Sequence, residues 1–128
     1  MVHKDNYSEF LAIKQEIQEK NIYFIKIVSD SMEPLLKVGS IYTVTPVNLN
    51  ELQQFDIILF WQKGKPFAHF YWGKHRLGNV KGHMTRSLKY PSEVDPPIND
   101  ENILGKISIK PGLRHKIIFL YRYYFSKV

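Results

Sequence analysis

Cysteine is absent from this 128-residue chain, and its absence removes several kinds of chemistry. A chain without thiols has no disulfide framework, no thiolate zinc site and no cysteine nucleophile. Long apolar runs are also missing, since no segment approaches the roughly 20 apolar residues that span a bilayer. The polar amino terminus lacks the apolar stretch of a secretory signal peptide. We therefore expect a cytoplasmic protein, with peripheral contact at a membrane left open.

Metal-binding and phosphate-binding patterns are scarce as well. The five histidines, at positions 3, 69, 75, 83 and 115, show no His-x-x-x-His spacing. The glycines of the segment 78–82 do not form a phosphate-binding loop. We expect no metal and no cofactor. His75 and His83 flank the turn predicted at Gly78-Asn79 and are expected to face solvent.

Positive charge is present but unevenly distributed. The net charge is +6; residues 1–56 carry 5 basic and 8 acidic side chains, and residues 57–128 carry 13 basic and 4 acidic ones. This asymmetry is typical of proteins that bind nucleic acid or an anionic membrane. The basic residues are scattered singly, with no cluster of five. That pattern favours a solvated basic face over nucleic-acid binding.

The apolar content indicates one domain with a packed core. Apolar residues make up 44% of the chain and aromatic residues 14%, mostly Tyr and Phe, which favour strands. Phe10, Ile13 and Ile17 have helical spacing, which predicts a helix over 8–20. Strands are predicted at 22–28, 41–44, 56–61, 67–72, 80–85 and 103–109, with a turn at 63–66 and a long loop over 87–102.

These elements predict a mostly β protein with an N-terminal helix. The single domain over 1–128 would comprise that helix, a β core over about 22–110 and a C-terminal packing segment over 113–128. Within that segment, Ile117 to Phe125 is compatible with a helix or a strand. The stretch 116–125 also mixes aromatic and basic residues, as interfacial segments do, although packing against the sheet is the simpler interpretation.

A serine follows the first predicted strand, in the sequence Ser31-Met32-Glu33-Pro34. This layout holds a hydroxyl at the end of a strand with its own backbone N–H exposed, as an alcohol nucleophile requires. His69 lies in an aromatic predicted strand and has the chemistry of a general base. Asp95 precedes two prolines that stiffen its loop. Ser, His and Asp are the components of an acyl-transfer triad, but composition and spacing alone do not select these three.

The selection comes from a resemblance. The chain resembles the signal peptidase I-like serine peptidases, which share a β-fold of short, coiled antiparallel strands with the LexA-type repressor peptidases. Five blocks match in order, from residue 22 to about 110: 29–36 is similar to the nucleophile box, 38–44 to the turn and strand after it, 52–60 to the family's Gly-Asp-Ile-Val strand, 68–70 to the segment of the general base, and 85–98 with 103–107 to the acid box and closing strand.

The resemblance implies a Ser-His-Asp mechanism, because His69 stands where one branch of the family has histidine and another has lysine. Ser31 would attack the carbonyl, His69 would transfer the proton, and Asp95 would orient the imidazole. The oxyanion donors would be the Ser31 N–H and the Ser29 hydroxyl. Met32 and Pro34, in the nucleophile box, would contact the substrate. That substrate would be a protein or peptide with an extended leader, signal or propeptide segment.

Departures from the family pattern leave open a weakened or inactive member. Asp30 replaces a small residue beside the oxyanion hole, and its charge would oppose the developing negative charge. Ser40 replaces an aspartate. Leu88 occupies the position of a second candidate acid, so Asp95 would be the only orienting carboxylate. These departures leave open a non-catalytic peptide-binding member of the same fold. The excess of basic residues over 57–128 leaves open a binder of nucleic acid or an anionic membrane surface.

Overall fold

One six-stranded antiparallel sheet organises the chain, in the strand order β1-β2-β6-β3-β4-β5. The structure is a computed structural model that describes residues 2–77 and 80–125. Its elements are α1 (Val2–Lys20), β1 (Tyr23–Lys26), β2 (Ile41–Thr45), β3 (Ile57–Gln62), β4 (Lys65–Leu77), β5 (Val80–Arg86), β6 (Ile103–Ile107) and α2 (Leu113–Phe125), with short 3-10 turns at Leu49–Glu51 and Asp100–Asn102. The predicted mostly β class with an N-terminal helix is confirmed.

Strand β3 lies inside the sheet because both of its faces are apolar. It pairs with β6 on one side and β4 on the other. Ile57 and Leu59 point into the larger core cluster, and Ile58 and Phe60 point into a smaller cluster on the opposite face. An uninterrupted apolar run is what a strand buried on both faces requires.

Helix α1 covers the larger cluster with the side chains that the sequence predicts. Phe10, Ile13 and Ile17 are all buried there. The predicted start at residue 8 was too late, because the turns before Phe10 contain polar residues that give no apolar periodicity. The predicted stop is confirmed: Asn21 has φ 58° and its N–H donates to the carbonyl of Ile17, which closes the last turn.

The hairpin between β3 and β4 is tighter than predicted, and β4 is longer. Only Lys63 and Gly64 form the turn, both with positive φ, whereas Pro66 pairs with Trp61 inside the ladder. β4 continues past residue 72 through Gly73, where φ is 122° and the register with β5 shifts. The predicted end at residue 72 was too early, because the bulge lets the strand continue.

The C-terminal segment is a helix, and it begins at Leu113 rather than near residue 117. Phe119 on its inner face is almost fully buried and packs against the rings of Phe55, Phe70 and Trp72. The aromatic pattern alone did not separate helix from strand, because a helix and a strand both bury one aromatic face. In the folded chain, Phe70 and Trp72 of β4 and Phe55 of the turn before β3 receive the Phe119 ring of the helix.

The other predicted boundaries differ by a few residues. β1 and β6 are shorter than predicted, β3 is displaced by one residue, and β2 and β5 are each one residue longer. The 87–102 loop contains the second 3-10 turn, and Ile98 forms an isolated bridge with His83.

His83 is buried, so the prediction that it faces solvent was wrong: its ring bonds Tyr71 and Asp100. The predicted turn at 78–79 and the His75 side chain lie outside the described residues and side chains.

Candidate active site

Ser31 lies in a loop whose two ends are joined by backbone hydrogen bonds. Residues 27–40 form this loop, and Ile27 exchanges backbone hydrogen bonds with Gly39 and Ser40 at its base. Gly39 has φ 88°, a conformation that favours glycine. Within the loop, Met32 and Leu36 are buried in the core, so the turn around Ser31 is anchored while Ser31 stays half-buried.

His69 is brought to Ser31 by β4. It lies opposite Ile58 of β3 and is only 7% exposed. Its Nε2 lies 3.1 Å from the Ser31 Oγ. The rings of Phe60 and Phe67 lie at centroid distances of 5.7 and 5.9 Å from the imidazole. These neighbours restrict the ring and keep water away from one side of it.

Asp95 completes the chain of contacts from the 87–102 loop. Its Oδ2 lies 2.6 Å from His69 Nδ1. An ionised carboxylate only accepts hydrogen bonds, so His69 donates from Nδ1 and leaves Nε2 free to accept the Ser31 hydroxyl proton. The three predicted catalytic residues, separated by 26 to 64 positions, thus form one continuous hydrogen-bonded path. This is the tautomer that a serine nucleophile requires.

A residue that the sequence did not indicate holds Asp95 in place. Thr85 on β5 is fully buried, and its hydroxyl donates to the same Asp95 Oδ2 at 2.6 Å. The Asp95 N–H donates in return to the Thr85 carbonyl at 3.1 Å. The loop carboxylate is therefore fixed to the sheet at two points. The sequence contained no signal for this contact beyond the position of Thr85 in a predicted strand.

The two predicted oxyanion groups contact each other. The Ser31 N–H donates to the Ser29 Oγ at 3.2 Å. A substrate oxygen that binds this N–H must displace the Ser29 oxygen, and Ser29 is exposed. Rotation of the Ser29 side chain would point its hydroxyl proton toward the same position as the amide. The arrangement would then supply two donors for an oxyanion.

The charge of Asp30 is paired, which bears on the first departure from the family pattern. Its carboxylate forms a salt bridge with the ammonium group of Lys89. The hydrogen bond from Lys89 lowers the pKa of Asp30, and the same contact raises the pKa of Lys89. The Lys89 N–H also donates to the Ser31 carbonyl at 2.8 Å. A local cation therefore offsets the negative charge that was expected to oppose oxyanion formation.

Leu88, where a second acid was expected, is a packing residue. It is fully buried in the larger core cluster, and its N–H contacts the Met32 sulfur at 3.3 Å. The Arg122 guanidinium of α2 donates to the carbonyls of Leu88 and Glu33. The loop after β5 and the carboxyl end of α2 thus form hydrogen bonds that hold residues 27–40, the nucleophile loop, in place.

Ser31 opens onto a narrow cleft of about 140 Å³. Residues 25–29 form one wall and residues 65–68 the other, with Met32, Leu36 and Leu59 among the lining side chains. Met32 lines this cleft but is only 1% exposed, so its contact with a substrate stays a prediction. Pro34 does not line this cleft; it lies in a separate charged depression with Asp30, Glu33, Lys89 and Arg122.

No helix in the described residues is long and apolar enough to cross a membrane. In the same part of the chain, no group of three or more His, Asp or Glu side chains is arranged to hold a metal ion. Comparison with known proteins adds nothing to the geometry, because no protein-family model and no curated protein matches this sequence.

Proposed function

We propose that the protein is a serine endopeptidase that cleaves an extended leader, signal or propeptide segment of a protein substrate. The observation that carries this proposal is the path from Ser31 Oγ through His69 to Asp95, with distances of 3.1 and 2.6 Å. His83 also has a hydroxyl and a carboxylate partner, but its hydroxyl partner Tyr71 is buried. The hydroxyl partner of His69 is Ser31, which is half-buried and lines a cleft that a substrate can enter.

The reaction begins when Ser31 Oγ attacks the substrate carbonyl carbon and its proton passes to His69 Nε2. The carbonyl oxygen becomes an oxyanion, stabilised by the Ser31 N–H and the rotated Ser29 hydroxyl. His69 then protonates the leaving amine as the C–N bond breaks, which leaves an acyl ester on Ser31. Water, deprotonated by His69, hydrolyses the ester and restores the serine. Asp95 holds the imidazole and stabilises its charged form throughout.

The walls of the cleft favour an extended peptide. β5 pairs with β4 only from Phe70 onward, so no described strand covers the opposite edge of residues 65–69. β1 is the outer strand on the other side and pairs only with β2. A peptide strand placed between these two edges gains main-chain hydrogen bonds. The small apolar cleft favours a small apolar side chain next to the cleaved bond.

A non-catalytic peptide-binding protein is the second candidate. It is favoured by the contact between Ser31 and Ser29, which occupies the Ser31 N–H. In that case the cleft would bind a peptide but the hydroxyl would not react. The two candidates differ in whether Ser31 is an activated nucleophile.

Labelling with a fluorophosphonate separates them. We expect the wild-type protein to form a covalent adduct on Ser31, identified by mass spectrometry. Ser31→Ala should show no adduct, and His69→Ala or His69→Gln should react at least about a thousandfold more slowly. Ser108→Ala, which removes an exposed hydroxyl elsewhere, should react like wild type. Circular dichroism checks that each variant is folded.

Two results would contradict the peptidase proposal. One is a folded wild-type protein with no adduct on Ser31. The other is labelling that is as fast in both His69 variants as in wild type. Retained binding of an extended peptide to an unreactive protein would support the non-catalytic alternative.

A further inference from the structure

Helix α2 presents a continuous apolar stripe to solvent. Five apolar residues within one helical arc are between 48% and 77% exposed: Leu113, Ile117, Leu120, Tyr121 and Tyr124. Their spacing places them on one face of the helix. The opposite face already packs on the sheet through Phe119, so the stripe has no partner within the described chain.

The sequence segment that contains the stripe carries charge of one sign. After Glu101 the sequence contains no acidic residue, whereas it has six basic ones, at 106, 110, 114, 116, 122 and 127. Within α2, Arg114 and Lys116 are exposed and fall on either side of the stripe by helical rotation. A second copy of the chain would bring these cations against identical cations. An anionic partner is therefore favoured over self-association.

We propose that α2 is a docking helix for an anionic lipid surface. An amphipathic helix with aromatic and aliphatic side chains on one face and flanking Lys or Arg lies in the plane of the bilayer interface. The tyrosines suit that position, because each combines an apolar ring with a hydroxyl that stays at the water boundary. At about 20 Å, the helix is long enough for interfacial contact and too short to span a bilayer.

Docking through α2 would also orient the candidate active site. Arg122, on the inner side of the helix, donates to the carbonyls of Glu33 and Leu88, and Lys89 bonds the Ser31 carbonyl. These hydrogen bonds connect the helix directly to the loop of Ser31. Lipid binding itself does not depend on the peptidase proposal, and it is measured without any cleavage assay.

Vesicle co-sedimentation of the full chain tests the proposal. We expect binding to phosphatidylcholine vesicles that contain phosphatidylglycerol and much weaker binding to pure phosphatidylcholine. Leu120→Asp should reduce partitioning into the vesicles at least tenfold. It removes an apolar side chain that would be buried in the lipid, and it adds a negative charge next to the anionic headgroups. Leu11→Asp is the matched control, since Leu11 on α1 is 46% exposed against 48% for Leu120, and should bind like wild type.

A charge variant tests the electrostatic part. Arg114→Gln with Lys116→Gln should weaken binding about thirtyfold, since each cation near an anionic surface contributes about 1 kcal/mol. Lys20→Gln with Lys63→Gln removes the same charge from exposed positions elsewhere and should have little effect.

Three results would overturn the proposal. The first is no binding to either vesicle type. The second is equal loss of binding in Leu11→Asp and Leu120→Asp. The third is found by analytical ultracentrifugation without lipid: a wild-type dimer that Leu120→Asp converts to monomers would assign the stripe to self-association instead.

Discussion

At the scale of single residues, one carboxylate oxygen of Asp95 connects the candidate site to β5. Asp95 Oδ2 accepts hydrogen bonds from both His69 Nδ1 and the Thr85 hydroxyl, each at 2.6 Å. His69 sets the proton path, and Thr85 fixes the carboxylate that orients His69. Because Asp95 belongs to a loop without regular structure, its position depends on this attachment to β5. Thr85 is therefore a positioning residue.

Replacing Thr85 tests this role. Thr85→Val keeps the shape and burial of the side chain but removes the donor to Asp95. A hydrogen bond to a charged group contributes about 1.5–3 kcal/mol, so we expect kcat or the fluorophosphonate labelling rate to fall about tenfold to a hundredfold, with KM little changed. Thr85→Ser restores the hydroxyl and should recover most of the rate. Equal rates in Thr85→Val and wild type would show that the contact does not position Asp95.

The sequence indicated some of these residues and missed others. Ser31, His69 and Asp95 were selected because the order of the surrounding blocks resembles a known family, and the structure brings the three together. Thr85 was missed because a buried hydroxyl on a strand is common and its partner lies ten residues away in a loop. His83 was misread because its burial depends on Tyr71 and Asp100, which reach it only in the folded chain.

At the scale of elements, the backbones of β6 and β2 approach each other closely at Gly105. Gly105 lies opposite Leu59 of β3. A Cβ at this position would lie 2.6 Å from the Thr45 carbonyl oxygen and 2.7 Å from a methyl group of Val44. Both distances are far shorter than van der Waals contact, and backbone atoms do not yield easily. The central sheet therefore has room only for glycine here.

Gly105→Ala tests this constraint. We expect the free energy of unfolding to fall by about 1–3 kcal/mol, the usual cost of overpacking a core, as measured by urea denaturation. Gly112→Ala is the control, because a Cβ there meets no atom within 4 Å. It should change stability by no more than a few tenths of a kcal/mol. Equal stability of the two variants would mean that the sheet relaxes around residue 105.

At the scale of the whole molecule, the buried Tyr71 and the partly buried Tyr23 link stability to alkaline pH. Burial raises the pKa of Tyr71 above its ordinary value of 10.0, and the charge of Asp100 adds to the effect. Burial and the charge of Glu16 raise the pKa of Tyr23 in the same direction. Folding therefore favours the neutral phenols. Their contribution is fully present below pH 10.0 and is lost as the pH rises toward the folded values.

Denaturation at several alkaline pH values measures this linkage. The free energy of unfolding should fall above about pH 10, by at most about 1.4 kcal/mol per pH unit for each tyrosine. Tyr71→Phe should show a shallower fall, because the substituted ring has no proton to lose. Tyr121→Phe alters an exposed ring and should retain the wild-type slope. Identical slopes in all three proteins would contradict the raised pKa of Tyr71.

The sequence by itself determined the local features of this protein. The spacing of Phe10, Ile13 and Ile17 defined the buried face of α1, and the apolar run after Asp56 predicted a strand, because side-chain periodicity is a local property. Only the tertiary structure decided which side chains meet. The contact of Thr85 with Asp95, the pairing of Asp30 with Lys89 and the exposed stripe of α2 depend on how distant segments pack, and no local pattern contains that information.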